Sequence, residues 1–131
     1  LLSKKAAVCT HFDEDLRKHG LWIHWRGDER ILVGSWRNGV KHGTWTTFCG
    51  RKCKITTWNS GVQHGPYKEW NFSGVVFEQG SKKWGKDDGV FEQYHINGKL
   101  AIQSNYKDGK LEGEYKEWWL SGKVRMHCFY K

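Results

Sequence analysis

The residues that could do chemistry are few and scattered. Cys49 and Cys53 frame Gly50-Arg51-Lys52, a spacing that lets two sulfurs face each other across a hairpin. Free thiols are the first expectation for this pair and a cross-strand disulfide the second. Metal comes last, because a structural zinc site takes four ligands and this motif supplies two. Cys9 and Cys128 stand at the two ends of the chain. His19, His42 and His64 each precede a glycine, where Asp88 and Glu112 precede Gly89 and Gly113, so the position reads as a polar turn residue. A stacked histidine column would also gain charge in acid and strengthen anion binding. Asp13-Glu14-Asp15 reads as a solvated acidic run. No nucleophile–base signature appears, and the glycines follow a long period rather than forming a phosphate-cradling loop before a helix. The expectation is a non-enzyme with no cofactor, no metal and no small-molecule substrate.

Charge offers a different chemistry. The net charge is +8, and residues 30–86 hold ten Lys or Arg against two acids, which accounts for the whole excess. Arg37, Lys41, Arg51, Lys52, Lys54, Lys82, Lys83 and Lys86 form the expected anion-binding or partner-binding set, in a stripe suited to nucleic acid or anionic phospholipid. A solvated lysine-rich face is the plainer reading of the same residues.

The elements that would position these groups are repeats. Anchor glycines fall at Gly20, Gly43, Gly65, Gly89 and Gly113, at intervals of 23, 22, 24 and 24. An aromatic follows two residues later, at Trp22, Trp45, Tyr67, Phe91 and Tyr115. Another follows at five, at Trp25, Phe48, Trp70, Tyr94 and Trp118. A third column reads Trp36, Trp58, Trp84, Tyr106 and Tyr130, with a longer second half and an irregular exit in the third unit. Each unit is strand, turn, strand, turn, because glycine pairs such as Asn38-Gly39 and Asp108-Gly109 suit tight hairpins. The first two columns have opposite parity, so either both faces carry aromatics or a bulge intervenes. Units one and two have a shorter internal turn than units three to five. With 15% aromatic residues at a mean hydropathy of −0.79, the chain is expected to fold.

The expectation is all-β: a single elongated, twisted antiparallel sheet of about five consecutive β-hairpin repeats, an open meander. Residues 1–18 are the end of a preceding repeat plus a loop. Residues 19–131 are the array, with repeats starting near residues 19, 42, 64, 88 and 112. Equivalent aromatics should lie two strands apart, about 9.5 Å, with intervening side chains filling the gap. The chain begins at Leu1 rather than methionine, and the array is expected to extend past both ends. No stretch reaches the roughly 18 apolar residues of a membrane helix.

The run Asn97-Gly98-Lys99-Leu100 to Tyr106-Lys107-Asp108-Gly109-Lys110-Leu111-Glu112-Gly113-Glu114-Tyr115-Lys116-Glu117-Trp118 resembles MORN repeats, in their variant form. The likeness covers roughly residues 19–131 and is strongest in the last two units. It implies an elongated hairpin sheet acting as a scaffold or protein-interaction surface, with no catalytic residues. Similar proteins occur in bacteria, some as antitoxins, and in large DNA viruses of protists. The expected function is therefore a scaffold module, part of a larger assembly such as a virus particle. An antitoxin-like partner or an anionic-ligand binder are the alternatives. The expected location is the cytoplasm or a virion. Partners are expected to be proteins or a second copy, meeting sheet edges or the aromatic face. Trp119, which has no aromatic counterpart in the other units, is the first candidate contact.

Overall fold

Left-handed backbone at paired turn residues sets the architecture. The φ angles are 50° and 84° at Asn38-Gly39, 48° and 86° at Ser60-Gly61, and 50° and 84° at Asp108-Gly109. Two successive residues of this kind match the twist of an antiparallel pair and close a hairpin in the fewest residues. The computed structural model describes the backbone of residues 7–12 and, in full, residues 16–131. The acidic run Asp13-Glu14-Asp15 lies outside the described residues.

The strands are β1 (Ala7–Phe12), β2 (Lys18–Arg26), β3 (Glu29–Arg37), β4 (Val40–Lys41), β5 (Gly43–Phe48), β6 (Lys52–Asn59), β7 (Val62–Gln63) and β8 (Gly65–Trp70). They continue as β9 (Val76–Lys83), β10 (Lys86–Asp87), β11 (Gly89–Tyr94), β12 (Leu100–Lys107), β13 (Lys110–Leu111), β14 (Gly113–Trp118) and β15 (Val124–Tyr130). All belong to one open antiparallel sheet ordered β1-β2-β3-β5-β6-β8-β9-β11-β12-β14-β15, an all-β hairpin meander. The short strands β4, β7, β10 and β13 lead into β5, β8, β11 and β14 through the anchor glycines. At Gly43, Gly65, Gly89 and Gly113 a positive φ kinks the strand. Phe12 pairs with Lys18 as Trp36 pairs with Lys41.

The parity question resolves as both alternatives at once. In every row the pairing slips between the fourth and fifth residues after the anchor, as at Glu69/Trp70 and Glu117/Trp118. The extra residue lies on the partner strand, so the first strand keeps its alternation and the two aromatic columns face opposite ways. Gln79 Nε2 donates to both Glu92 and Tyr94 at 3.0 Å, which puts Tyr94 on the face opposite Phe91.

The first and third columns share the other face and make the core. Trp22, Trp36 and Trp45 meet at centroid distances of 5.2–6.2 Å, and Phe91–Tyr106 and Tyr115–Tyr130 meet edge-on at 6.0 and 5.8 Å. Trp22 and Trp45 are equivalent residues of neighbouring rows, yet their rings are 5.5 Å apart rather than separated by the full two-strand spacing. The gap closes because Gly34 lies between them: a Cβ there would sit 2.1 Å from the Trp45 ring. Trp45 is consequently only 2% exposed, and its indole N–H donates to the Ser35 carbonyl.

Trp84 leaves the third column. The anchor glycines pair with Trp36, Trp58, Lys82, Tyr106 and Tyr130 in turn, so the third row's column position is Lys82. Trp84 instead holds the first turn position, with φ 47°, where other rows carry Asn38, Ser60 and Asp108. Its ring lies 4.3 Å from that of His64. The third row therefore has the same length and exit as the fourth, and the apparent irregularity came from aligning on an aromatic side chain instead of the turn.

Candidate interaction surface

Alternate hairpin ends point to opposite edges of the sheet, so a basic run in sequence is divided in space. Arg37, Lys83 and Lys86 lie exposed on the edge formed by the turns between rows. Arg51 and Lys52 lie exposed on the other edge, formed by the turns within rows. Three more cations are engaged internally. Lys41 Nζ sits 4.7 Å from the ring centroids of both Trp45 and Trp58, Lys54 pairs with Glu69 at 3.2 Å, and Lys82 pairs with Asp87 at 2.7 Å. The eight residues therefore do not form one stripe.

The histidines act as clips between successive outer turns. The N–H of the left-handed turn residue donates to the imidazole Nδ1 that opens the same row: Asn38 to His19 at 3.4 Å, Ser60 to His42 at 3.2 Å and Trp84 to His64 at 3.1 Å. In the next row the Asp108 N–H reaches Asp88 Oδ2 at 3.5 Å, so a carboxylate replaces imidazole as acceptor. The following glycine N–H donates to a backbone carbonyl beside it, as from Gly61 to Lys41 at 2.8 Å and Gly85 to Gln63 at 2.7 Å. Both turn donors are thus satisfied by residues beside the preceding outer turn.

Cys49 and Cys53 are joined by a disulfide, which corrects the first expectation of free thiols, while Cys128 is free. The correction follows from the row's shape: Cys53 is the extra residue of the bulge, and its Cα lies 5.7 Å from that of Cys49.

Ionisable groups on the aromatic face sit in a mixed environment. Burial pushes the Glu78 carboxyl up, and the neighbouring Glu69, its direct cross-strand partner, adds to the effect. Burial likewise raises Tyr67, with Asp87 and Glu78 adding to it. The Tyr115 hydroxyl donates to Glu117 and is pushed up to about 12, mainly by that bond and then by burial. Tyr67, Glu69, Glu78 and Asp87 line a hollow of about 420 Å³.

The edge formed by the turns within rows carries a feature the sequence reading missed. Phe72, Ile96 and Leu120 are 95%, 78% and 53% exposed. They hold the same place in Asn71-Phe72-Ser73-Gly74, His95-Ile96-Asn97-Gly98 and Trp119-Leu120-Ser121-Gly122. The turns are rigidly closed, with Asn71, His95 and Trp119 N–H donating to Val75, Lys99 and Lys123 carbonyls at 2.8–2.9 Å. The three tips recur at roughly the two-strand spacing of about 9.5 Å. An apolar residue inside three successive polar turns was the available signal. Trp119 adjoins this row, half exposed, with the Arg125 guanidinium 4.6 Å from its ring.

No helix among the described residues is long and apolar enough to cross a membrane. No curated protein and no solved structure matches the chain. The MORN repeat variant family matches residues 87–108 and 111–131, the fourth and fifth rows. Such repeats generally mediate protein or lipid interactions and are generally non-catalytic. The fourth and fifth rows are thus MORN variant repeats, and the three rows before them share their register in the hairpin meander just described.

Proposed function

We propose that this chain is a non-enzymatic scaffold, a structural part of a larger assembly, which presents the row Phe72, Ile96 and Leu120 to a protein partner. The observation that carries the reading is their exposure at equivalent turn tips, where no packing within the sheet calls for a large apolar side chain. Apolar groups gathered on one edge of a soluble face mark an interaction site more often than a structural need. The test is capture of partners by the immobilised chain, compared with a Phe72→Ser, Ile96→Ser, Leu120→Ser variant. Loss of a specific partner with an unchanged thermal melt supports the reading. Equal capture by both proteins sinks it.

A second reading is electrostatic binding of nucleic acid or anionic phospholipid by Arg37, Lys83 and Lys86, which lie exposed along the opposite edge. Binding of this kind weakens steeply with salt. Retention on heparin or anionic vesicles that a charge-reversed variant keeps in full would eliminate it.

A further inference from the structure

A groove lies where the array changes its turn length. The second row turns through Cys49-Gly50-Arg51, with the Cys49 N–H donating to the Arg51 carbonyl at 2.7 Å. The third row's turn is two residues longer and stands beyond it. The step leaves a hollow of about 460 Å³, whose lining includes Trp70, Phe77 and the Cys49–Cys53 disulfide, with Phe72 at its rim. Both walls are fixed in advance. The disulfide holds one, and on the other the Asn71 side-chain carbonyl accepts the Ser73 and Val75 N–H groups at 2.9 and 3.0 Å. A site whose walls are already ordered loses less entropy on binding.

The charges at this groove have a definite sign. Lys54 is neutralised by Glu69, whereas Arg51 and the adjacent Lys52 have no ion pair among the described residues. The Arg51 guanidinium lies against Gly74, where an added Cβ would come 2.4 Å from its Nη1, so the charge stands beside the long turn. Most of the groove's exposed surface is apolar, from Trp70, Phe72, Phe77 and the disulfide, while Thr47, Lys54, Glu69 and Asn71 also border it. Its recess suits an inserted side chain better than a flat bilayer.

We propose that this groove binds a protein partner's peptide segment in which an aromatic or long aliphatic side chain is flanked by carboxylates. The apolar side chain enters between Trp70 and Phe77, and a flanking carboxylate pairs with Arg51. The proposal rests on the protein-interaction reading above and adds the chemistry of the partner. A charge at the rim tunes selection among partners, while the apolar anchor in the recess gives most of the binding energy.

The test is a nitrogen–proton NMR titration of the full chain with two blocked peptides, acetyl-Asp-Asp-Phe-Glu-amide and acetyl-Lys-Lys-Phe-Lys-amide. The expected result is shifts confined to residues 47–54 and 69–77, with the acidic peptide binding about tenfold more tightly. Arg51→Glu should abolish or reverse that preference without moving the thermal melt. Equal binding of the two peptides, shifts elsewhere, or binding of a DNA oligonucleotide or vesicle at this site in preference to the acidic peptide would overturn it. A specific partner captured equally by wild type and Arg51→Glu overturns the groove while leaving the interaction-module reading intact.

Discussion

The guanidinium of Arg125 stands 4.6 Å from the ring of Trp119, and in the second row the same two positions are Cys53 and Cys49, joined by a disulfide. Cys53 and Arg125 are each the extra residue of their row's bulge, and Cys49 and Trp119 each open the inner turn. The bulge brings the two positions together in both rows. One row closes the approach covalently and another with a cation over an aromatic ring, a contact worth roughly 0.5–1 kcal/mol at an exposed site.

The disulfide should therefore matter modestly. It closes a short loop, with a sequence separation of 4, and the chain-entropy estimate for a loop of that size is about 2 kcal/mol. A Cys49→Ser, Cys53→Ser protein should lose up to that amount in urea unfolding and keep its sheet spectrum. Alkylation without reductant should modify Cys128 and spare Cys49 and Cys53. Their modification in the native protein would contradict the pairing.

Adding one methyl group separates the two close approaches on the aromatic face. At Gly34 a Cβ meets the Trp45 ring at 2.1 Å, and that ring is buried with no room to swing. At Gly80 it meets the Tyr67 hydroxyl at 2.7 Å, the far end of a less buried side chain. Gly34→Ala should cost about 3 kcal/mol or more, and Gly80→Ala about 1 kcal/mol. Thermal melts of the two variants check the order. Equal costs would show that Trp45 is not wedged.

The repeat and its sheet were legible because turn chemistry and aromatic spacing obey backbone rules that recur in every row. What escaped depended on relations between rows. Gly34 resembles no anchor glycine in sequence, and its value lies in the Trp45 ring of the next row. Trp84 is an aromatic at nearly the column spacing, and only the pairing of Gly65 with Lys82 places it in a turn. The basic run looked continuous because sequence order conceals that successive turns face opposite edges. The exposed row of Phe72, Ile96 and Leu120 was readable in principle. Its signal is an apolar residue at the same place in three successive turns.

The histidine clips make turn stability local. The imidazole Nδ1 accepts the turn N–H at Asn38, Ser60 and Trp84, and the Asp88 carboxylate does the same for Asp108. His42→Ala should cost about 1 kcal/mol, the usual net value of one hydrogen bond, while His42→Asp should keep most of it. Hydrogen exchange at constant pH should show the His42→Ala protein losing protection at the Ser60 amide more than at Asn38, Trp84 or Asp108. Equal loss of protection at all four turns would refute the clip.

Glu78 should oppose folding at neutral pH. Its folded-state pKa is raised above the ordinary 4.5, by burial and then by Glu69, so the folded chain holds this proton more tightly than the unfolded chain. The linkage relation then gives stability that falls as pH rises from about the ordinary value to the raised one. Glu78→Gln removes the titration while keeping the shape. The variant should be more stable than wild type at pH 7, and the two should converge as the pH drops below the ordinary carboxyl value. The difference between their urea midpoints, followed from pH 4 to 7, isolates this group from the other carboxylates that titrate in the same range. A gap that stays flat, or that widens toward acid, would show that Lys54, nearby and paired with Glu69, already compensates the Glu78 charge.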